Sequence, residues 1–285
     1  MSEHPTDHGP IGHGHASGSD VAMAEMLELD AEVLQPYLTE LTGWIARLAD
    51  SVPARIMDMG SGPGTGSLAL ADRFPAASVT AVDLSPQMLH RLRKQAAARG
   101  VAARVRTLEA NLDEPWPLPD KEEPYDLIWA AAFLHHLSDP ARTLGQAYGR
   151  LRPGGLLAVT EMDFFPRFLP EDAGVGRPGL EARLHGVTNT EPPHAWDGTL
   201  RDAGFTVDER RPFEIGLTAS QAGPALGRYA QVCLTKLRSH VGDALEADDL
   251  AALDTLLDET HPLGITRRGD LSVRTTRTTW IARRA

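Results

Sequence analysis

The clearest pattern along the chain is an apolar run, an amphipathic segment and a second apolar run in succession. Residues 56–59 are apolar apart from Asp58, and residues 78–83 are rich in β-branched side chains and end at Asp83. Between them, apolar positions recur at helical spacing over residues 65–74. We predict a strand, a helix and a second, parallel strand, a unit typical of α/β proteins.

The same alternation continues towards the C-terminus. Strands are predicted at residues 125–130, 205–217 and 271–283, a strand followed by a turn within residues 104–112, and a helix end, a Pro-Gly-Gly turn and a strand within residues 151–161. Helices are predicted at residues 20–34, 36–49 and 196–203, with two more inside residues 221–259. The helix at 36–49 carries a stripe of apolar and aromatic residues at helical spacing, which is typical of a face that packs on the core.

A turn with glycine at positions 60, 62, 64 and 66 follows Asp58. Glycine adopts positive φ without strain and lacks Cβ, so a flat ligand can lie against the backbone. A phosphate-binding P-loop requires a lysine in the turn, and this loop has none. The dinucleotide fingerprint requires a third glycine at a place that falls here on Thr65 or Ser67. A nicotinamide site and a purely structural turn therefore fit less well, but both stay open.

The sequence Asp-x-Gly-x-Gly-x-Gly at residues 58–64 resembles the first motif of class I S-adenosylmethionine-dependent methyltransferases. Further matches follow in the family's order: Asp83 ends the second strand, Leu-His-His-Leu occupies residues 134–137, and Pro-Gly-Gly occupies residues 153–155. The resemblance covers residues 52–163 closely and the rest of the chain loosely. It implies an α/β fold with a Rossmann-like, doubly wound sheet of seven strands, the last one antiparallel, N-terminal helices and a helical lid before the last strand.

The resemblance also implies S-adenosyl-L-methionine as the cofactor. In the family, the acidic residue at the position of Asp58 holds the amino end of the methionine moiety, together with the carbonyl of Gly60. Asp83 is the candidate for the ribose hydroxyls, although it also suits the cap of a helix beginning at Ser85. The remaining candidates for cofactor binding are Ser61, Gly62, Gly64, Leu84, Met88, Asn111, Leu112 and Ala130.

Two of these candidates are expected at the adenine. Leu84 would supply apolar surface against the ring. Relatives commonly carry aspartate where Asn111 stands, and the amide keeps an acceptor for the adenine amino group while losing the charge.

The candidates for catalysis are His135 and His136, which follow the fourth predicted strand. Ligands in open α/β sheets bind at the carboxyl ends of the strands, and an unperturbed imidazole titrates near neutrality. Either histidine could therefore act as general base or contact the methyl acceptor. The alternative is that one of them packs against or caps the helix that starts at residues 138–140. The candidates for an acceptor pocket are Tyr37, Glu161, Asp163, Phe164, His185 and Trp196.

Five regions are predicted along the chain. Residues 1–19 are polar and rich in glycine and histidine, which predicts a disordered tail. Residues 20–50 form a helical cap, residues 51–218 the cofactor-binding core, residues 219–262 a helical lid and residues 263–285 the last strand. The histidines of the tail lack the carboxylate or cysteine spacing of a metal site, so we expect no metal.

Composition limits the partners. The chain has 285 residues, 42% of them hydrophobic, and a formal net charge of −11. An acidic surface argues against nucleic acid and against an anionic membrane, because phosphate binding depends on Lys and Arg. The arginines near the C-terminus are interpreted mostly as solvated faces of a turn and an edge strand. They are Arg267, Arg268, Arg274, Arg277, Arg283 and Arg284.

The single cysteine, Cys233, lies in an apolar helical run, where a buried and inert thiol is expected. One cysteine cannot form an intrachain disulfide, and no apolar run is long enough to cross a bilayer. We therefore expect a cytoplasmic protein, as a monomer or homodimer.

The expected function is transfer of a methyl group to an oxygen, nitrogen or carbon of a small, partly apolar molecule, as in specialised metabolism. Two alternatives within the same fold stay open: a non-methylating reaction and a binding module without catalysis. An NAD-dependent oxidoreductase is a more remote alternative, because the third glycine of its fingerprint is misplaced.

Overall fold

The computed structural model describes residues 18–117, 123–188, 194–241 and 244–285. The helices are α1 (Gly18–Val33), α2 (Gln35–Leu48), α3 (Thr65–Arg73), α4 (Pro86–Ala98), α5 (Pro140–Arg150), α6 (Leu180–Thr188), α7 (Asp197–Asp202), α8 (Ala219–Ala222), α9 (Leu226–Val241) and α10 (Ala247–Leu257). The strands are β1 (Arg55–Met59), β2 (Ser78–Asp83), β3 (Val105–Glu109), β4 (Tyr125–Ala131), β5 (Leu151–Met162), β6 (Thr206–Thr218) and β7 (Ser272–Arg283). Short 3₁₀ turns span Leu134–His136 and Ile265–Arg267. The predicted tail lies outside the described residues except for its last two, which begin α1.

Within the described residues, seven strands form one sheet in the order β3-β2-β1-β4-β5-β7-β6. β1 pairs in parallel with β2 and β4, and β4 pairs in parallel with β5. β7 runs antiparallel to both of its neighbours. The predicted doubly wound sheet with an antiparallel last strand is therefore confirmed. The strand order reverses between β1 and β4, which is where ligands bind in such sheets.

β7 is an interior strand, and β6 forms the edge beside it. The interpretation of the C-terminal strand as an edge is therefore wrong. Two of the arginines expected to be solvated are instead mostly buried: the side chain of Arg277, on β7, is 13% exposed. Arg268, in the segment just before the strand, is 9% exposed. Only some of the six C-terminal arginines are solvated as expected. One of them is Arg274, whose side chain is 49% exposed.

Polar side chains fix the starts of α4 and α5. The Ser85 hydroxyl accepts a hydrogen bond from the Met88 N–H at 3.3 Å. The Asp139 carboxylate accepts one from the Arg142 N–H at 3.0 Å. Such caps satisfy N–H groups that have no partner inside the helix. The cap of α5 is thus a carboxylate, not one of the two histidines that precede it.

Strand β4 contributes to a core on each face of the sheet, because successive side chains point in opposite directions. Trp129 packs in a cluster that includes Leu41 of α2 and Leu234 of α9. Ile128 packs in a second cluster that includes Leu144 of α5. The sheet is therefore covered on both faces, as parallel sheets require.

Helices α8 to α10 connect β6 to β7, and α9 packs on α1. The Tyr229 hydroxyl donates to Asp30 Oδ1 at 2.5 Å, and Arg228 pairs with Glu25 at 2.7 Å. Cys233 is buried in α9, as predicted, and burial raises the pKa of its thiol. No helix in the described part of the chain is long and apolar enough to cross a membrane.

Gly64 lets the start of α3 lie close to α4. Its φ is +95°, and a Cβ placed there would lie 2.0 Å from Leu92 Cδ1. We expect Gly64→Ala to lower the free energy of unfolding by ~2 kcal/mol or more, because backbone strain and overpacking add. Equilibrium unfolding in urea measures the loss.

The matched control is Gly149→Ala in α5, where an added Cβ meets no atom within 4 Å. Because alanine favours a helix interior over glycine, its stability should be unchanged or raised by up to ~1 kcal/mol. Equal losses in the two variants would contradict the assigned role of Gly64.

Candidate functional site

The loop between β1 and α3 has positive φ at Gly60 (+66°), Gly62 (+53°) and Gly64 (+95°). The Ser61 N–H donates to the Val82 carbonyl at 2.9 Å, which ties the loop to the end of β2. Glycine adopts these φ values without the strain that a Cβ brings. The loop therefore sits rigidly at the carboxyl ends of the strands, beside the point where strand order reverses.

The carboxylate of Asp83 holds this loop in place. Its Oδ2 accepts from the Gly62 N–H at 2.8 Å, and its Oδ1 accepts from the Ser85 N–H at 2.8 Å. The side-chain cap of α4 is Ser85, so helix capping alone does not account for Asp83. Each carboxylate oxygen keeps a further lone pair, which leaves it able to accept from a ribose hydroxyl. The neighbouring Leu84 is 65% exposed and offers open apolar surface where adenine is predicted.

Asp58 is buried at the end of β1, with 2% of its surface exposed. Its Oδ2 accepts a hydrogen bond from the Ser67 hydroxyl at 2.6 Å. Burial raises the pKa of Asp58 to about 7; the Ser67 bond opposes this shift and the charge of Asp83 adds to it. A buried carboxylate of this kind is stabilised in its charged form by a nearby cation.

The other cofactor candidates differ in exposure. The Ser61 hydroxyl is buried and has no hydrogen-bond partner among the described residues, so a polar ligand atom would satisfy it. Asn111 is exposed, and its Oδ1 accepts from the Asp113 N–H at 3.1 Å. Three candidates are buried: Met88, Leu112 and Ala130. Their contacts with a cofactor stay predictions.

The chain leaves β4 through an unusual turn. Ala132 has a φ of +49°, and its N–H donates to the Thr160 carbonyl at 2.8 Å. A positive φ at alanine is uncommon and needs support from the surroundings. The ring of Phe133 then lies against the first glycine of the loop: a Cβ on Gly60 would fall 2.0 Å from Phe133 Cδ2. Gly60 is thus required for this packing as well as for its φ.

Glu161, at the end of β5, holds that turn. Its Oε1 accepts from the N–H groups of Phe133 and Leu134 at 3.1 and 2.8 Å, and its Oε2 lies 2.7 Å from His135 Nδ1. The carboxylate is 9% exposed. These bonds are made within the protein, and a contact of Glu161 with a methyl acceptor stays a prediction. Glu161 positions the turn that carries both histidines.

His135 and His136 lie next to each other on the 3₁₀ turn, with ring centroids 4.0 Å apart. Partial burial lowers the pKa of His136, and charge on His135 lowers it further. His136 is therefore neutral at pH 7 and able to accept a proton. His135 is oriented by Glu161, whereas the ring of His136 has no such fixed carboxylate partner among the hydrogen bonds of the described residues.

A cavity of about 100 Å³ lies beside these elements, at the carboxyl ends of β4 and β5. Its walls come from α1, α9, the start of α3 and the segment after β5, and they are mainly apolar. The apolar lining includes Met26, Leu27, Ala131, Met162 and Phe165. Asp30 and Arg277 are the charged groups in the wall. The cavity thus runs from the glycine loop towards β7.

A wider open groove of about 830 Å³ adjoins this cavity, between α1 and α2 on one side and α3 and α4 on the other, and shares Ala31, Leu38 and Thr65 with it. It is lined by several charged side chains, among them Glu28, Asp72, Arg73 and Arg99. No residue predicted for the site lines it. No predicted site residue lines the smaller cavity either, but Trp129, Ala131, Thr160 and Met162 of its wall lie on β4 and β5 near their carboxyl ends, so we place the candidate site there.

None of the six residues predicted for the acceptor pocket lines this cavity. Met162 and Phe165 do so in place of Asp163 and Phe164, which lie between them in sequence. Asp163 instead accepts a hydrogen bond from the Thr278 hydroxyl at 2.9 Å.

Tyr37 lies behind the wall, where its ring centroid is 5.3 Å from the Arg277 guanidinium carbon. His185 is buried in α6, and burial, followed by the charge of Arg167, lowers its pKa to about 4. Trp196 is buried in the core cluster on the opposite face of the sheet. We interpret His185 and Trp196 as packing residues.

Comparison with known proteins agrees with this arrangement. Residues 56–155 match the model of a family described as a methyltransferase domain. A demethylmenaquinone methyltransferase from Thermus thermophilus is 32% identical over 184 residues, which cover 58% of this chain and 81% of the relative. A trans-aconitate 2-methyltransferase from Methylobacterium nodulans is 32% identical over 185 residues, which cover 63% and 68%. The chain belongs to the class I S-adenosylmethionine-dependent methyltransferases.

Solved structures show the same fold for this methyltransferase. The [4+2]-cyclase SpnF aligns with a TM-score of 0.50 and 21% identity, over 86% of this chain and 81% of the other. The YcgJ protein from Bacillus subtilis aligns with a TM-score of 0.51 and 16% identity, over 85% and 97%. At such identity the likeness shows the fold alone.

The cofactor of this methyltransferase is S-adenosyl-L-methionine. The family therefore selects this cofactor over the nicotinamide that the glycine spacing left open. The residues at the strand ends fit it: a glycine loop free of Cβ atoms, a carboxylate at the end of β2, exposed Leu84 and the buried Ser61 hydroxyl.

Four residues at the glycine loop or in the cavity wall were not predicted from the sequence. Phe133 directly precedes the Leu-His-His-Leu motif, and its contact with Gly60 is a tertiary one. Trp129 was assigned to a strand without a site role. Asp30 lay in a predicted helix, and Arg277 was counted among solvated arginines. Pairing of Asp30 with Arg277 joins residues from the two ends of the chain, which no local pattern indicates.

The raised pKa of Asp58 predicts that cofactor binding depends on pH. If the carboxylate faces the cationic amino end of S-adenosylmethionine, affinity should rise roughly tenfold between pH 5.5 and pH 7, as the proton is lost. Calorimetric titration of the methyltransferase measures this slope. Without cofactor, folding stability changes with pH in the opposite direction. The folded chain retains a proton on Asp58 that the unfolded chain has lost, so Asp58 lowers the free energy of unfolding as pH rises from about 4 to about 7.

Asp58→Asn is the matched control, because it keeps the size of the side chain and cannot ionise. Its affinity should be lower at pH 7 and independent of pH over the same range. An equal slope in the variant and the natural enzyme would exclude Asp58 as the group that binds the cationic end.

Proposed function

We propose that this enzyme methylates an oxygen, nitrogen or carbon atom of a small, partly apolar molecule in specialised metabolism. The observation that carries the proposal is the cavity of about 100 Å³, which begins at the glycine loop and is walled mainly by apolar side chains. This volume is below the roughly 300–1,000 Å³ of most ligand pockets, so in its present form the cavity suits one end of a small molecule.

The charge of the chain supports a small acceptor. A formal net charge of −11 disfavours a nucleic-acid substrate, whose phosphates require a basic surface. Two relatives carry names with small-molecule acceptors, demethylmenaquinone and trans-aconitate. We propose the same size class of substrate for this enzyme, without transferring either compound.

We propose that α8 to α10 act as a lid over the acceptor. The support is that Tyr229 and Cys233 of α9 line the cavity opposite Ala131 and Ala132 of the β4 end. A closed, mainly apolar wall excludes water from the reacting atoms, which helps to align a nucleophile with a bound methyl donor.

When bound, S-adenosylmethionine supplies an activated methyl group, so little chemistry is left to the protein. The glycine loop, Asp58 and Asp83 would hold the donor, with Leu84 and Asn111 at the adenine. His136 would remove a proton from an oxygen or nitrogen acceptor, since its lowered pKa keeps the imidazole neutral at pH 7. Glu161 would keep the histidine turn in its working position through its bonds to Phe133, Leu134 and His135.

The direct test is a screen of small acceptors with the enzyme and S-adenosylmethionine, read by mass spectrometry as the gain of one methyl group. Products from small, partly apolar compounds would support the proposal. Methylation confined to protein or nucleic acid would contradict it, and conversion of a compound without methyl gain would indicate a different reaction on the same fold.

His136→Ala should lower kcat about 10²-fold or more on an oxygen or nitrogen acceptor while the Kd for S-adenosylmethionine changes less than threefold, because a base acts in the chemical step. His90→Ala, an exposed histidine of α4, is the control and should leave both values unchanged. Steady-state rates and calorimetry provide the two readouts. Unchanged kcat in His136→Ala would remove this residue from the catalytic group.

Glu161→Ala should reduce both stability and kcat, because two buried N–H groups and His135 lose their acceptor. We expect a loss of ~2–3 kcal/mol in the free energy of unfolding. Glu161→Gln keeps an amide oxygen for the two N–H groups and should recover most of the stability. If Glu161→Ala folds with natural stability and rate, the turn does not depend on this carboxylate.

A further inference from the structure

Lys236 of α9 is a half-buried cation on the side of the helix that borders the cavity. Tyr229 and Cys233 of the same helix line the cavity wall. Lys236 follows Cys233 by three residues and Tyr229 by seven, so helix geometry places it on the same face, one turn farther along. Within the part of the chain that the structure describes, its ammonium has no hydrogen bond or ion pair.

Lys236 lies opposite the histidine turn that follows β4. Burial and the charge of His135 are the main causes that lower the pKa of His136, and the charge of Lys236 lowers it further. Burial raises the pKa of the Cys233 thiol, and the charge of Lys236 opposes that shift. Because the effect of a charge falls off with distance, Lys236 lies close to both groups.

The histidine turn is where the cavity wall meets solvent. Ala131 and Ala132 line the cavity, whereas the side chain of His135, a few residues farther on, is 48% exposed. Lys236 therefore lies at the rim of the cavity, between its mainly apolar interior and water. A molecule whose apolar part enters the cavity would bring its outer end against Lys236 and His136.

Two carboxylates of this region already have other partners. Glu161 accepts from two backbone N–H groups and contacts His135. Asp30 pairs with Arg277 in the cavity wall. Partial burial weakens the hydration of a cation, so an unpaired ammonium at the rim is stabilised when an anion binds beside it. The rim therefore suits an acceptor whose outer end is negatively charged.

We propose that the methyl acceptor is a small organic acid whose carboxylate pairs with Lys236 at the rim while its apolar part lies in the cavity. An ammonium and a carboxylate form strong, charge-assisted hydrogen bonds. Lys236 is then a specificity-determining residue, and it brings the charged end of the acceptor next to His136. The inference rests on the proposed function, because it takes the cavity as the acceptor pocket.

The test compares an acid with its neutral amide of the same size, using the full-length enzyme saturated with S-adenosylhomocysteine. The probes are 4-methylpentanoate and 4-methylpentanamide, and calorimetric titration at pH 7 gives the Kd of each. We expect the acid to bind about tenfold or more tightly than the amide, because a charge-assisted hydrogen bond contributes more to affinity than a neutral one.

Variants at Lys236 test whether its charge causes this preference. Lys236→Met removes the charge and keeps a side chain of similar length. It should weaken the acid about tenfold and change the Kd of the amide by less than about threefold, whereas Lys236→Arg should keep most of the affinity for the acid. The matched control is Lys94→Met at an exposed lysine of α4, which should leave both Kd values unchanged.

A second readout needs no acceptor. Lys236→Met should raise the pKa of His136, because a neighbouring positive charge is lost. Proton NMR of the imidazole signals measures this pKa, and His136→Ala identifies the signal that belongs to His136. Lys94→Met should leave it in place.

Several outcomes would overturn the inference. They are equal affinity for acid and amide, an acid affinity that survives Lys236→Met, or an unchanged pKa of His136 in that variant. A tenfold loss of affinity for S-adenosylhomocysteine in Lys236→Met would assign the ammonium to the carboxylate of the cofactor instead. These results leave the proposed function standing if the acceptor screen yields methylated products. The expected binding of the acid, with no methylated product in that screen, would contradict the proposed function and retain the Lys236 site.

Discussion

The site depends on one buried carboxylate, that of Glu161 at the end of β5. It accepts two backbone N–H groups and contacts His135, and by doing so it fixes the turn that follows β4. That turn places Phe133 on Gly60 and sets Ala132 in the cavity wall. Glu161 therefore supports the histidine pair directly, and Phe133 and Ala132 connect this turn to the glycine loop and the cavity wall, while Asp83 holds the loop from the side of β2.

A second constraint is the alternation of side chains along the strands. Trp129 and Ala131 of β4, Thr160 and Met162 of β5 and Arg277 of β7 all line the cavity, and the strand register places them on one face of the sheet. Their sequence neighbours point to the other face, as Ile128 and Ala130 do. The cavity thus lies on the face covered by α1 and α9, while the opposite face is packed core.

The wall of the cavity contains two charged side chains, Asp30 and Arg277, which pair with each other. Asp58 is buried with a raised pKa and suits a cationic ligand, whereas Arg277 is neutralised by Asp30. Buried charges are costly unless paired, so the carboxylate of Asp58 suits a positively charged ligand group, whereas the Asp30–Arg277 pair leaves no net charge in the cavity wall. Trp129 lies between the two regions, because it pairs with Asp58 in β1 and lines the cavity.

The sequence by itself determined the fold class and the family, and it located the glycine loop, Asp83 and the histidine turn. These features depend on local spacing and on motifs that follow one another along the chain. The acceptor side was decided only by the tertiary structure. Asp30 and Arg277 are far apart in sequence but form an ion pair. β7 is an interior strand because β6 pairs with its outer edge. Which residue of a short aromatic segment faces a cavity depends on strand pairing and on the helices above it, so Phe165 lines the wall where Phe164 was predicted. Contacts between distant segments carry no local signature, and the cavity is built from such contacts.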